Sequence, residues 1–167
     1  MLLAGCGGGG LSRAGPGDLS HRGVSIFVPD HWYGRILFAD AQGVVVIFQV
    51  ANFKLADQQG FEPPKELPAG QEDPIKVMSG GDALVGVEAG ARCTSAGSLT
   101  VRIARHSFPS ASNPDAPVPA GHAVAEATGC FDHRSLFITV DFASGPVPKR
   151  LLRDANVVLA SLRVGTP

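Results

Sequence analysis

The stretch LFITVDF, residues 136–142, decides the reading of the fold: Leu136, Ile138, Val140 and Phe142 alternate with Phe137, Thr139 and Asp141. Successive side chains of an extended chain point to opposite faces, so this alternation describes a strand with one apolar face turned to a core. Antiparallel sheets carry such one-sided strands. The same spacing recurs in LTVRIA, 99–104, where Leu99, Val101 and Ile103 share a face. Working outward, HAVAEATGCF (122–131), ALVGVEAG (83–90) and VSIFV (24–28, stopped by Pro29) are all of strand length. GRILFAD (34–40) and GVVVIFQVANF (43–53) are separated by a Gly-containing turn and read as a hairpin. The run Val44 to Phe48 is apolar at every position, which places it mid-sheet, covered on both faces or by a helix on one.

Helical signals are fewer. EDPIKVMSGGD (72–82) offers Asp73 as N-cap, Pro74 at the first helical position and Gly80 as a stop, the marks of one short helix. GPVPKRLLRDANVVLASLRV (145–164) sets Leu151, Leu152, Ala155, Val158, Leu159 and Leu162 at helical intervals after Pro148. A short last strand, SLRV, follows. Residues 53–71 and 109–121 carry Pro, Gly and charge without a period and read as long loops. The expected fold class is therefore α+β: an antiparallel β-sheet of six to eight strands, with the C-terminal amphipathic helix packed on one face and one short helix beside it.

Composition narrows the function classes. In 167 residues, 44% are hydrophobic and 17% charged, a globular balance rather than a disordered one. The formal net charge is -1 with no run of Lys or Arg, so the electrostatic footprint that nucleic-acid binding needs is missing. No apolar run approaches the roughly 18 residues needed to cross a bilayer as a helix.

The chain opens MLLAGCGGGGLSRAGPGD. Leu3-Ala4-Gly5-Cys6 resembles the lipobox of bacterial lipoproteins, in which the cysteine thiol is acylated and the preceding peptide bond is cut. The resemblance implies lipidation at Cys6 and an extracytoplasmic domain anchored to the cell membrane. A signal peptide needs a basic segment and an apolar stretch of about 7 to 15 residues, so Met1 is expected to be internal to a longer signal peptide. Residues 1–5 are then its remnant, 6–20 a Gly-rich tether and 21–167 one globular domain. A Gly-rich coil of that length averages roughly 20 to 24 Å. Gly5, Gly7 and Gly10 also match GxGxxG, but neither a preceding strand nor a following helix supplies the context a dinucleotide site needs. VSIFVPDHW near the start and ANVVLASLRV at the end resemble PsbP-like domains and related small exported lipoproteins. That family implies a binding or assembly role.

With Cys6 lipidated, Cys93 and Cys130 form an even pair, expected to be a disulfide in an oxidising compartment; the alternative is two buried free thiols. Closure of a loop of about 38 residues stabilises by roughly 4 kcal/mol in the chain-entropy model. A simple meander, however, sets the two cysteines about 9 to 10 Å apart, two strands from each other. Bridging them requires the TSAGS turn to fold over or the strand order to differ.

Chemistry-bearing patterns are sparse. The five histidines, His21, His31, His106, His122 and His133, show no HxH or HxxxH spacing, and no GxSxG occurs. No catalytic or metal-ligating set is assigned, and nothing calls for a cofactor. PDHWYGR gathers the single Trp and single Tyr with an acid, a His and an Arg, making Asp30, His31, Trp32, Tyr33 and Arg35 the candidate binding residues. The competing reading has Trp32 plugging one end of the sheet. Lys149, Arg150 and Arg153 fall on the polar face of the last helix, either solvated or drawn to anionic headgroups. The expected function is a lipid-tethered binding, accessory or assembly domain whose partner is an unknown envelope protein or small ligand. Two alternatives stand beside it. A small secreted hydrolase would need two or more of Asp30, His31, His106 and His122 to converge, and a cytosolic interaction module would keep all three thiols free.

Overall fold

The computed structural model describes residues 12–38, 45–55, 74–94, 102–103 and 121–165. Among these residues the alternation of the sequence becomes nine strands: β1 (Ser12–Ala14), β2 (Gly17–His21), β3 (Val24–Val28), β4 (Tyr33–Phe38), β5 (Val46–Ala51), β6 (Ala83–Arg92), β7 (Ala123–Phe131), β8 (Arg134–Phe142) and β9 (Arg163–Val164). Two helices accompany them, α1 (Pro74–Val77) and α2 (Lys149–Ser161). The strands divide between two sheets instead of the single one expected. One has six strands in the order β1-β4-β5-β6-β8-β7, the other three in the order β2-β3-β9, and every pairing is antiparallel.

Strand parity decides what is buried. Ile36, Phe48, Val50, Val85, Val87, Leu136, Ile138, Val140 and Phe142 face inward from the large sheet and are buried. Leu19, Val24, Ile26 and Val28 of the small sheet join them in one core, closed by Leu151, Ala155, Val158, Leu159 and Leu162 of the C-terminal helix segment. Helix α2 packs on β3 and on β6, so it touches both sheets. Ser161 accepts a 2.8 Å hydrogen bond from the Phe27 N–H, and the chain then turns into β9 against β3.

The Gly-rich tether was expected to run to residue 20, yet β1 and β2 occupy most of 12–21. GDLSH holds a single large apolar residue, too little for a periodic signal. Leu19 is nevertheless buried, because Gly34 on β4 leaves room for it: a Cβ at Gly34 would stand 2.5 Å from both Leu19 and Val28. The small sheet comes within contact of β4 there, which only glycine permits. Residues 1–11, Cys6 included, lie outside the described residues.

Another expectation is corrected. The strand expected over 99–106 falls mostly outside the described residues, and Arg102 and Ile103 are not in a strand. Ile103 does enter the core, held by Asn156 of α2, whose Oδ1 accepts from the Ile103 N–H at 2.9 Å and whose Nδ2 donates to the Ile103 carbonyl at 3.2 Å. Of the Val44 to Phe48 run, Val45 to Phe48 are described; they lie mid-sheet and are covered fully on one face, the second of the two arrangements expected. Val46 and Phe48 are buried while Val45 and Ile47 are partly exposed, because α1 and the small cluster of Ala51, Leu55, Met78 and Leu84 reach only one end of the outer face.

Cys93 and Cys130 are bonded, with Cα atoms 5.9 Å apart. β8 does lie between β6 and β7, so strand spacing alone would keep them apart. Cys93 stands beyond the end of β6, and its N–H donates to the His133 carbonyl in the β7–β8 turn at 3.0 Å. The chain thus folds over the end of the hairpin and meets Cys130 from the far side. Replacing both cysteines by Ser is expected to cost about 4 kcal/mol, read as a lowered midpoint in urea denaturation; an unchanged midpoint would show that the crosslink does not restrain the unfolded chain.

Candidate functional site

The candidate site is built on the turn between β3 and β4. Pro29 ends β3, and its carbonyl accepts from the Trp32 N–H at 3.2 Å, closing a four-residue turn. His31, third in that turn, takes φ 61°, a left-handed conformation that turns of this kind demand and that usually falls to Gly or Asn. Asp30 and His31 stand at the tip of the turn: both are exposed, Asp30 Oδ1 accepts the His31 N–H at 3.1 Å, and the two side chains pair at 3.3 Å. The Trp32 carbonyl accepts from Gly15, tying the β1–β2 connection to the same turn.

Trp32 itself points inward, by the parity that also turns Gly34 and Ile36 to the core, and is only 5% exposed. It is packed as a plug would be, and it also lines the cavity beside it. Beside it begins α2, whose N-cap is Pro148. Proline has no side chain to accept the first-turn N–H groups, and no acidic residue stands in that turn. Arg150 and Arg153 both pair with Asp154, at 3.6 and 3.3 Å. The third wall is the β5 end, where Asn52 donates to the Gly81 carbonyl at 2.8 Å and accepts from the Ala83 N–H at 2.7 Å, clamping the turn before β6.

Between these walls lies a cavity of about 600 Å³, with Asp30, His31, Trp32, Arg150, Arg153 and Val157 in its lining. That size lies within the range of small-ligand sites. Trp32 contributes to the lining, the rim carries both signs of charge, and Val157, 49% exposed, supplies an apolar lip. Two sequence features 120 residues apart, PDHW and the basic face of the last helix, meet here; neither periodicity nor spacing signalled their convergence.

The other candidates lie elsewhere. Tyr33 and Arg35 face the outer side of the large sheet, where Tyr33 packs against the cluster under α1. Arg35, 7% exposed, donates to Gln49 at 2.7 Å. His122 does not line the cavity, and its Nδ1 is buried without a hydrogen-bond partner. His106 lies outside the described residues. Among the described residues no three His, Cys, Asp or Glu side chains come together as a metal site. No protein-family model matches the chain, and no curated protein or solved structure matches it.

At the opposite end of the two sheets, His21 closes β2 beside Arg22 in the β2–β3 turn. Burial, then the charges of Arg22 and Arg134, hold the His21 imidazole below its ordinary value of 6.5.

Two predictions follow from these environments. Trp32→Ala is expected to destabilise by about 3 to 5 kcal/mol, as removal of a packed aromatic does, whereas Arg153→Ala at the rim should stay within about 0.5 kcal/mol; urea denaturation compares the two. For His21, the unfolded chain takes up its proton at a higher pH than the folded one. Its contribution is therefore present above pH 6.5 and lost as pH falls through the lowered folded value. The urea midpoint should drop over that window in the wild type and drop less in His21→Gln; equal slopes would remove His21 as the cause.

Proposed function

We propose that the chain is the folded part of a lipid-anchored extracytoplasmic binding or assembly factor, akin to PsbP-like domains, that receives a partner or small ligand in the cavity between the 29–32 turn and α2. The observation that carries the binding role is that cavity, which joins an aromatic residue, an apolar lip and guanidinium groups paired with Asp154. Such a combination favours a ligand or protein segment with an apolar part and a polar or acidic part. The Cys93–Cys130 bond supports an oxidising compartment over the cytosol. Acylation at Cys6 would supply the anchor, since each buried methylene contributes about 0.8 kcal/mol and more than one chain holds stably.

The test is made on protein from its own cells, separated into membrane and soluble fractions. The expected form is membrane-bound, begins at Cys6, carries acyl mass and lacks two hydrogens for the disulfide. A soluble form that keeps residues before Cys6 and three free thiols overturns the anchor. For the cavity, a photoreactive side chain at Val157 is expected to give a discrete adduct that Arg153→Glu abolishes. Labelling no greater than at Phe137, on the outer sheet face, would overturn the binding role.

A further inference from the structure

The end of the two sheets that holds His21 also concentrates arginine. After an irregularity in β6, Arg92 pairs in register with Arg134 of β8. Arg134 continues the inward series of Leu136, Ile138, Val140 and Phe142, and the residue is only 8% exposed. A buried guanidinium is ordinarily matched by a carboxylate, because leaving a desolvated charge uncompensated is unfavourable. Here, among the described residues, no carboxylate lies within ion-pair distance of Arg134 or Arg92. Asp132, in the adjoining turn, is exposed and joins neither of them.

The neighbours add charge of the same sign. Burial first, then the charges of Arg22 and Arg92, push the Arg134 guanidinium below its ordinary value. Arg22 and Arg92 are exposed and stand toward solvent, while Arg134 lies deeper. The arrangement is held open by covalent structure: Cys93 follows Arg92 directly, and its bond to Cys130 ties the end of β6 to the hairpin that carries Arg134. Like charges gathered on a crosslinked frame are the arrangement of an anion site, since the frame prevents them from dispersing. The planar guanidinium fork matches the oxygens of phosphate in particular.

We propose that Arg134 and Arg92, with Arg22 at the mouth, form a binding site for a phosphate-type oxyanion at the end of the domain opposite the cavity. Two sources carry that group, a phospholipid headgroup and free phosphate. The course of β1 bears on the first. From Ala14 back to Ser12 the chain follows β4 from Tyr33 toward Arg35, in the direction of the arginine end. The six steps from Ser12 to Cys6 span at most about 20 Å when extended. An acylated Cys6 would thus keep this end near a bilayer. The headgroup source rests on the anchor proposed above, whereas the oxyanion site does not.

The full chain is titrated with inorganic phosphate at constant ionic strength, chloride serving as the comparison, and its thermal midpoint is followed. It is also sedimented with phosphatidylglycerol and phosphatidylcholine vesicles. Arg134→Met and Arg92→Gln are run in parallel; Arg92 is exposed, so its variant tests the site even if the first fails to fold. Phosphate should raise the wild-type midpoint beyond chloride, and both variants should bind it at least tenfold more weakly. Without phosphate, Arg134→Met should melt no lower than the wild type, because among the described residues no carboxylate pairs with the charge it removes. Retention on phosphatidylglycerol vesicles that the variants lose would identify the headgroup as a source, and a phosphate response without such retention would identify the free anion. Equal responses to phosphate and chloride with no vesicle retention, or responses unchanged in both variants, would overturn the site. Either failure leaves the cavity reading untouched, since these residues line the other end.

Discussion

Burial of the inward face of the six-stranded sheet is the constraint on which the rest of the molecule depends. That face is a continuous surface of Phe48, Val50, Val85, Val87, Ile138, Val140 and Phe142, all nearly devoid of solvent contact. No single element covers it. The three-stranded sheet takes one part and α2 the other, and the core closes only when both are in place. This explains the position of each remaining piece. Gly34 lets Leu19 approach, Asn156 holds Ile103 against the helix, and Ser161 stitches the helix end to β3.

The two ends of this layered core differ in chemistry because they are closed differently. At one end a proline-capped helix and a strained turn leave a cavity over Trp32, with the charges on its rim largely paired. At the other, two hairpin turns and a disulfide gather His21, Arg22, Arg92 and Arg134. Positive charge there opposes burial, yet the crosslink and the strand register hold it in place. The two ends thus differ in lining: an amphipathic cavity at one and a cluster of arginines at the other. An anchor at Cys6 would join β1, which leads toward the second end.

Periodicity made much of this legible. The inward residues of β8 and the apolar face of α2 lie where alternation and helical spacing place them, since both patterns report a single buried face. Legibility failed where burial rests on one residue. Leu19 in GDLSH and Ile103 beside Arg102 enter the core through Gly34 and Asn156, partners remote in sequence. The site was half legible. PDHW stood out by residue type, but Trp32 turned inward and Tyr33 and Arg35 went to the outer face, because strand parity sends neighbours to opposite sides.

By itself, then, the sequence determined the class of structure, the extent of most strands and the course of the last helix, and it offered Cys93 and Cys130 as a possible pair. These follow from local period and from counting, which need no knowledge of distant contacts. Only the tertiary structure decided that there are two sheets, that β8 separates β6 from β7, and that Cys93 rounds the hairpin to reach Cys130. It also decided which charges converge. Arg92 and Arg134 are separated by 42 positions in the chain and face each other only because β6 pairs with β8 in one register. The energy of that register is spread over many apolar contacts, and no short stretch of sequence carries it.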